Sequence, residues 1–415
     1  MIMGGELLRE FFRDLKNHRM RSALTLIAIT WGTMSVVLLL AFGEGFGTAM
    51  RSGLVNAWNR VLIIYGGETG KVYQGLPKGR QINLEESDVA LLRAAVPDII
   101  MASPQYRKNA ELFHGKTRLT TECEGTGQDF KEMRAMYPEA GGRFIDANDV
   151  KYQKRSLFLG YEIAGDLFKG ENPVGKTVML DNVPFTVIGI MEKKLQTSMN
   201  NGPDSRRAVI PYSTFRTVYG YKYINTILAK GPSPVSQAQM INQIRQVLSK
   251  KYRTDPADDR AIGIFDTMMI DEMIKKISFG ISIFLGIVGF FTLMIAGVGV
   301  ANVMYVVVKE RTREIGIKMA VGARRSYILS QFIFEALFLS TLGGVMGLLL
   351  SWGIVAATGL IDTSSGAMQF LGRPILSIGI MIFTVTVLTL IGIFAGVFPA
   401  RRAAAVDPVE SLRYE

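Results

Sequence analysis

Four stretches of this chain carry no charged residue and are long enough to cross a lipid bilayer: 22–42, 277–308, 336–361 and 374–400. A hydrocarbon core of roughly 30 Å is spanned by about 20 apolar residues in a helix rising about 1.5 Å per residue. Helices buried in a water-soluble core seldom sustain an apolar run beyond about 14 residues, so an ordinary soluble fold is excluded. A mean hydropathy of +0.23 alongside 20% charged residues fits this division, with apolar and charged residues kept in separate blocks. The first run follows basic residues, as a secretory signal would. Its apolar core exceeds the roughly 7–15 residues of a signal segment, and we read it as an uncleaved first helix.

Lysine and arginine beside the runs predict orientation. Arg9, Arg13, Lys16, Arg19 and Arg21 precede the first run; Lys309, Arg311, Arg313, Lys318, Arg324 and Arg325 separate the second from the third; Arg401, Arg402 and Arg413 follow the fourth. The link at 362–373 contains only Arg373. Both termini are therefore expected in the cytoplasm of a multi-pass inner-membrane protein, with residues 43–276 outside. The formal charge of +11 is partly this bias, and no basic run sits on a nucleic-acid module. Over residues 1–21, Leu7, Leu8, Phe11, Phe12 and Leu15 recur at helical spacing between basic residues. That pattern suits an amphipathic helix lying on the cytoplasmic interface.

Residues 43–276 alternate strand and helix signals. Segment 61–65 reads as a strand, and 84–96 as a helix capped by Asn83 with Glu86 third after it. The signals return as a strand at 224–230, a helix at 236–252 and a strand at 261–265. Between them, 118–124, 156–159, 178–180 and 185–191 read as strands, with a hairpin turn at Asp181-Asn182. The fold class expected is a membrane α-helical protein of four transmembrane helices with a large extracytoplasmic α/β domain split by a β-rich insertion. The α/β parts would be about 43–106 and 220–276, and the insertion about 107–219.

Chemistry-bearing motifs are sparse. Cys123 is the single cysteine, so no disulfide can form within the chain, and His18 and His114 are too far apart to suggest a metal site. Gly170 to Thr177 satisfies the G-x-x-x-x-G-K-T pattern of a phosphate-binding loop, but that loop needs a helix after it. The following residues read as a hairpin, so the match is taken as fortuitous. Hydrolase signatures of the Gly-x-Ser-x-Gly or His-Glu-x-x-His kind do not occur. The chain is expected to be non-catalytic and to bind no cofactor of its own.

Three features of the C-terminal half carry more weight. The link 309–325 is charged at both ends and bears Ile315, Ile317 and Met319 between small residues, which suits a rigid elbow docking on a partner; a solvated loop fits the composition equally. Gly343-x-x-x-Gly347 and Gly392-x-x-x-Gly396 have the spacing for close helix approach, within one chain or between two. Glu335 is the one ionisable residue well inside the apolar stretch 326–361. It is either an intramembrane carboxylate, by default a functional candidate, or a headgroup-level residue with the span beginning at Ala336.

These residues resemble the MacB/FtsX/LolC-type ABC transporter permeases. The segment Arg313-Glu314-Ile315-Gly316-Ile317-Lys318-Met319-Ala320-Val321-Gly322-Ala323 is similar to the family's R-E-I-G-I-x-x-A-x-G-A signature. Gln331 to Leu337, including Glu335, resembles the start of its third helix, and Pro399 to Glu415 its C-terminal tail. Asn172 to Thr177 followed by Pro184 to Gly189 resembles a strand pair of its external domain, which accounts for the phosphate-loop match. The resemblance implies a dimer of permeases, served by an ABC ATPase that holds the ATP and magnesium. It also implies that the elbow from Arg313 to Ala323 docks on that ATPase as a coupling helix. With only a short segment before the first helix, the ATPase is expected on a separate chain, and a membrane-fusion adaptor and outer-membrane channel are further expected partners. An FtsX-like regulator of a cell-wall hydrolase and a lipoprotein-release permease are the alternatives within the same resemblance. A domain of more than 200 residues fits the MacB-like branch better.

Overall fold

The computed structural model describes residues 19–57, 60–196, 202–232, 237–360 and 372–404. The segment before Arg19, where an amphipathic helix is expected, lies outside them. So do most of the 362–373 link and the tail beyond Ala404, Arg413 included. The described elements begin with helix α1 (Arg19–Ala57), strand β1 (Leu62–Gly66), α2 (Glu86–Ala95), β2 (Met101–His114) and β3 (Thr117–Thr126). Next come α3 (Phe130–Arg134), α4 (Ala147–Lys151), β4 (Ser156–Leu159), α5 (Tyr161–Phe168), β5 (Thr177–Leu180) and β6 (Val183–Ile190). A short turn leads to β7 (Arg207–Pro211), α6 (Tyr212–Tyr219), β8 (Thr226–Lys230), α7 (Gln237–Tyr252) and β9 (Ile262–Asp266). The chain ends with α8 (Met268–Glu310), α9 (Thr312–Ala320), α10 (Arg325–Thr358) and α11 (Ile378–Ala404). Two compact units result, one of Met50–Lys275 and one of Met1–Ala49 with Lys276–Glu415.

Among the described residues four helices are long and apolar enough to span a membrane: Ser22–Gly53, Met268–Glu310, Arg325–Thr358 and Ile378–Arg402. Helices α1 and α8 overrun the charge-free runs 22–42 and 277–308. A charged residue ends a stretch suited to hydrocarbon, but a helix stops only at a cap or breaker. Just before α8 the Asp266 Oδ1 accepts the Met268 N–H at 2.8 Å, satisfying one of the donors that a helix start leaves unpaired. The helices share one core, with Ile29 and Val36 from α1, Leu293 and Met304 from α8, Phe332 from α10 and Leu388 from α11. Large apolar side chains such as Phe284, Ile295 and Phe398 face outward, as lipid contact requires.

The paired glycines lie where these helices cross. A Cβ on Gly347 would fall 2.6 Å from Thr33 Cβ and 2.9 Å from the Thr30 carbonyl oxygen; on Gly343 it would meet Ile29 Cβ at 2.8 Å. On Gly396 it would meet Ala336 Cβ at 2.9 Å, and on Gly392 the Ser340 Oγ at 2.9 Å. Thus Gly343 and Gly347 face α1, Gly392 and Gly396 face α10, and all four contacts lie within this chain.

In the other unit, β9, β1, β8 and the first half of β2 form an antiparallel sheet. Leu62, Ile64, Ile227 and Ala229 on one face pack against Val89 and Leu92 of α2 and Met240, Ile244 and Leu248 of α7. The second half of β2 leaves this sheet and pairs with β3. From there β3 pairs with β7, β7 with β4, β4 with β6, β6 with β5, and β5 returns to β2 at Leu112 and Phe113. That circuit is a closed barrel, and Tyr106, Leu112, Cys123, Leu159, Val187 and Ile210 fill it. Burial within it pushes the Cys123 thiol far above its ordinary range. Between β5 and β6, Asp181 and Asn182 both have positive φ, 44° and 67°, the signature of a two-residue hairpin turn.

Two local readings change. Helix α2 is capped by Glu85, not Asn83, and the reciprocal partner is Asp88, not Glu86. The Asn83 carbonyl instead accepts the Tyr252 hydroxyl at 3.0 Å. The strand β2 was invisible to apolar patterning because Pro104, Gln105, Arg107, Lys108 and Asn109 interrupt it. It joins the α/β sheet to the strand-rich insertion and makes the two one continuous structure.

Candidate functional site

The expected elbow is a short helix with two unlike faces. Helix α9 follows α8 after Arg311 alone, and the Ile315 N–H bonds the Arg311 carbonyl at 3.0 Å. Ile315 and Gly316 turn into the bundle, where Ile315 joins the shared core. Arg313, Glu314 and Ala320 are exposed; so are Ile317 (47%) and Val321 (85%), while Lys318 is half-buried. Arg313, Ile317 and Val321 follow one another at four-residue spacing and so lie on one face. The apolar tip therefore differs from the composition-based reading. Ile315 belongs to the core, Met319 packs against it, and Val321 takes their place outside.

The end of α9 explains two residues of the signature. The Ala323 N–H reaches the Lys318 carbonyl at 2.9 Å and the Gly322 N–H the Met319 carbonyl at 3.0 Å. This pair of bonds is a Schellman closure, which needs a left-handed residue after the cap. Gly322, at φ +99°, supplies it. The chain then reverses and α10 begins.

Glu335 sits in the third turn of α10, buried to 7% exposure, and accepts a hydrogen bond from Arg311 Nη1 at 3.2 Å. A carboxylate in an apolar helix is thereby matched to a cation at the junction of α8 and α9. A second link lies nearby, where the Arg402 guanidinium of α11 stacks over the Tyr305 ring of α8 at 4.8 Å. These contacts tie α8, from whose end the elbow leaves, to α10 and α11.

The phosphate-loop look-alike has a different build. Strand β5 follows Lys176 directly, so no helix N-terminus faces the loop. Lys176 Nζ pairs with Glu171, and its cation lies 5.6 Å over Phe168.

Outside the barrel interior, on the opposite side of β3 and β7, charged residues are buried together. Arg134 and Lys194 each reach Asp204 at 2.7 Å, and Arg207 pairs with Glu124 and with Glu122 at 3.4 Å. Burial alone would raise the Asp204 carboxyl. The charges of Arg134 and Lys194 and their hydrogen bonds outweigh it and hold Asp204 below the usual carboxylate range. Burial lowers Lys194 and pushes Arg207 down to about 10. This is a closed structural network, since its charges face one another. Among the described residues no group of three His, Cys, Asp or Glu side chains is placed to hold a metal ion.

Four helices suited to a membrane, with a large domain inserted between the first two and a tethered short helix between the next two, are the build of a multi-pass membrane protein. Residues 22–247 match the family model of the MacB-like periplasmic core domain, and 286–408 that of the FtsX-like permease C-terminal region. The chain belongs to this MacB/FtsX family of ABC transporter permeases. It is 31% identical over 413 residues to the macrolide export ATP-binding/permease protein MacB of Chlorobium phaeobacteroides, covering 98% of this chain and 60% of that one. Against the protein of the same name from Azoarcus sp. strain BH72 it is 31% identical over 417 residues, covering 99% and 60%. The chain therefore spans about three-fifths of the curated relatives it matches. The crystal structure of the periplasmic region of MacB from Actinobacillus actinomycetemcomitans aligns with a TM-score of 0.43 and 19% identity, over 55% of this chain and 97% of that one.

Proposed function

We propose that this protein is the permease subunit of an ATP-driven exporter or extruder, and that α9 docks on an ABC ATPase. The observation that carries this reading is the exposed face of Arg313, Ile317 and Val321 on a short helix whose opposite side is locked into the bundle. An apolar anchor beside a charge, on a rigid element, is what a docking helix needs. Helix α8 gives motion at α9 an uninterrupted path. Its 43 residues amount to about 65 Å at 1.5 Å each, roughly twice the hydrocarbon thickness. A rigid helix displaced at one end displaces what is attached at the other.

In this reading both termini are cytoplasmic, the domain at 50–275 is external, and two copies pair in the inner membrane. The ATPase holds ATP and magnesium, and the residues of this chain transmit its motion and take no part in catalysis. An adaptor and an outer-membrane channel complete an export path. Macrolide export belongs to the named relatives; for this protein the proposal extends to the class of process only.

The test is affinity purification of the tagged full-length protein from its native host, followed by ATPase assay in lipid nanodiscs. An ABC ATPase should co-purify, and Ile317→Asp or Arg313→Glu should abolish its stimulation. Recovery of a cell-wall hydrolase without an adaptor would overturn the export reading. Recovery of two unlike permeases would move it to lipoprotein release.

A further inference from the structure

Where the α/β sheet passes into the barrel, the two parts of the external unit leave a cleft of about 450 Å³ between them. Its walls come from both sides. Helix α2 contributes Val89 and Arg93, β2 contributes Pro104, and the barrel side contributes Val150, Lys151 and Tyr212. Volume and mixed lining are those of a small-molecule site, which is apolar with a few converging polar groups.

The polar groups divide sharply into engaged and open. Both carboxylates at the cleft are occupied. Glu86 accepts the Tyr106 hydroxyl at 2.8 Å and Arg216 at 2.7 Å, and Asp129 accepts Arg93 Nη2 at 2.5 Å. These two ion pairs also bridge α2 to the barrel side and frame the opening. The donors are not used up. Among the described residues Arg93 commits only Nη2, to Asp129 and to the Ala102 carbonyl at 2.6 Å, leaving Nε and Nη1. Lys151 makes no ion pair among the described residues; its ammonium lies 5.4 Å over the neighbouring Tyr152 ring. The Tyr212 hydroxyl has no hydrogen-bond partner among the described residues. Burial, and then the charge of Glu86, push that phenol above its ordinary range, so it remains an O–H donor at any physiological pH.

We propose that this cleft binds a small amphipathic carboxylate: the anion meets Arg93, Lys151 and Tyr212, and the apolar body lies along Val89, Pro104 and Val150. Two cations and a hydroxyl, beside carboxylates that are already engaged, favour an anion. The planar guanidinium favours a carboxylate, whose two oxygens it can take in parallel. A peptide C-terminus ending in an apolar side chain and a short fatty acid share this chemistry. Because the walls belong to two parts of the unit, an occupant there would also hold those parts together. The proposal stands independently of what docks on α9.

The experiment uses the full-length protein in phosphatidylcholine nanodiscs, with saturation-transfer NMR against empty discs. Three probes are compared: acetyl-Ala-Ala-Leu with a free carboxylate, the same peptide as its C-terminal amide, and hexanoate. The free acid should bind about tenfold more tightly than the amide, the difference expected for a charge-assisted pairing. Binding of hexanoate at similar strength assigns the fatty-acid source; its failure beside a bound peptide acid assigns the peptide source. Tyr212→Phe and Lys151→Gln should each weaken the acid several-fold with an unchanged thermal midpoint. Tyr212→Phe removes one oxygen that has no hydrogen-bond partner among the described residues, and Lys151 is exposed, so neither threatens folding. Equal binding of acid and amide, no binding of any probe at millimolar concentration, or undiminished binding in both variants would overturn the proposal.

Discussion

Arg311 and Glu335 are 24 residues apart in sequence and meet at 3.2 Å, with only 14% and 9% of their side chains exposed. The pair fastens the end of α8 to α10 and so fixes the direction in which α9 leaves. Removing one partner of a buried pair costs on the order of 3–5 kcal/mol, since the other charge is left uncompensated. Glu335→Gln and Arg311→Gln should each lower the thermal midpoint in detergent markedly. The double variant should recover part of the loss. Additive losses would mean that the two residues act through separate contacts.

Helix α9 should separate folding from coupling. Ile315→Ala removes a core side chain and should destabilise the bundle by about 2–5 kcal/mol. Val321→Asp lies on the exposed face and should leave the midpoint unchanged while suppressing stimulation of the ATPase. Parallel thermal and ATPase assays on the two variants distinguish a docking face from a merely solvated turn.

Gly322 should tolerate no side chain cheaply, for a conformational reason. Its φ of +99° lies where an L-residue pays roughly 1–2 kcal/mol. Gly322→Val should therefore weaken protection of the Ala323 amide, read by hydrogen exchange of the 318–328 peptide.

Two glycines in one helix make a matched comparison. Gly347→Ala places a methyl against Thr33 and the Thr30 carbonyl, whereas around Gly353 a Cβ meets nothing within 4 Å. Overpacking costs about 1–3 kcal/mol, so Gly347→Ala should lower the thermal midpoint. Gly353→Ala should leave it unchanged or raise it through helix propensity.

The Asp204 network sets an acid limit for the external unit. Its folded carboxyl titrates below its ordinary value of 3.8, so the unfolded state binds protons more readily. The stabilisation is fully present above that ordinary value and is lost as pH falls towards the folded one. Asp204→Asn should flatten the fall in stability below pH 4, measured by circular dichroism of the full-length protein. It should also lower stability at pH 7, where Arg134 and Lys194 lose their counter-charge. An unchanged acid limb would show that other carboxylates govern it.

Much of the architecture was legible in one dimension. Spans 22–42, 277–308, 336–361 and 374–400 follow from the absence of charge, and the Asp181-Asn182 turn from residues that tolerate positive φ. The signature from Arg313 to Ala323 marked the elbow but not its faces. Ile315 and Ile317 are the same residue type, and only the path of α8 into α9 puts one inside and one outside. Strand β2 was missed because its polar residues face a second layer of buried charge, Gln105 donating to Glu124 at 3.1 Å, which apolar alternation cannot register.

Hydropathy and turn chemistry act on neighbouring residues, so four membrane spans and a large mixed domain between the first two are written in the linear order of the residues. Ion pairing and barrel closure act between residues tens to hundreds of positions apart. Only the tertiary structure could bring Arg311 to Glu335, return β5 to β2, and set Arg93, Lys151 and Tyr212 around one cleft.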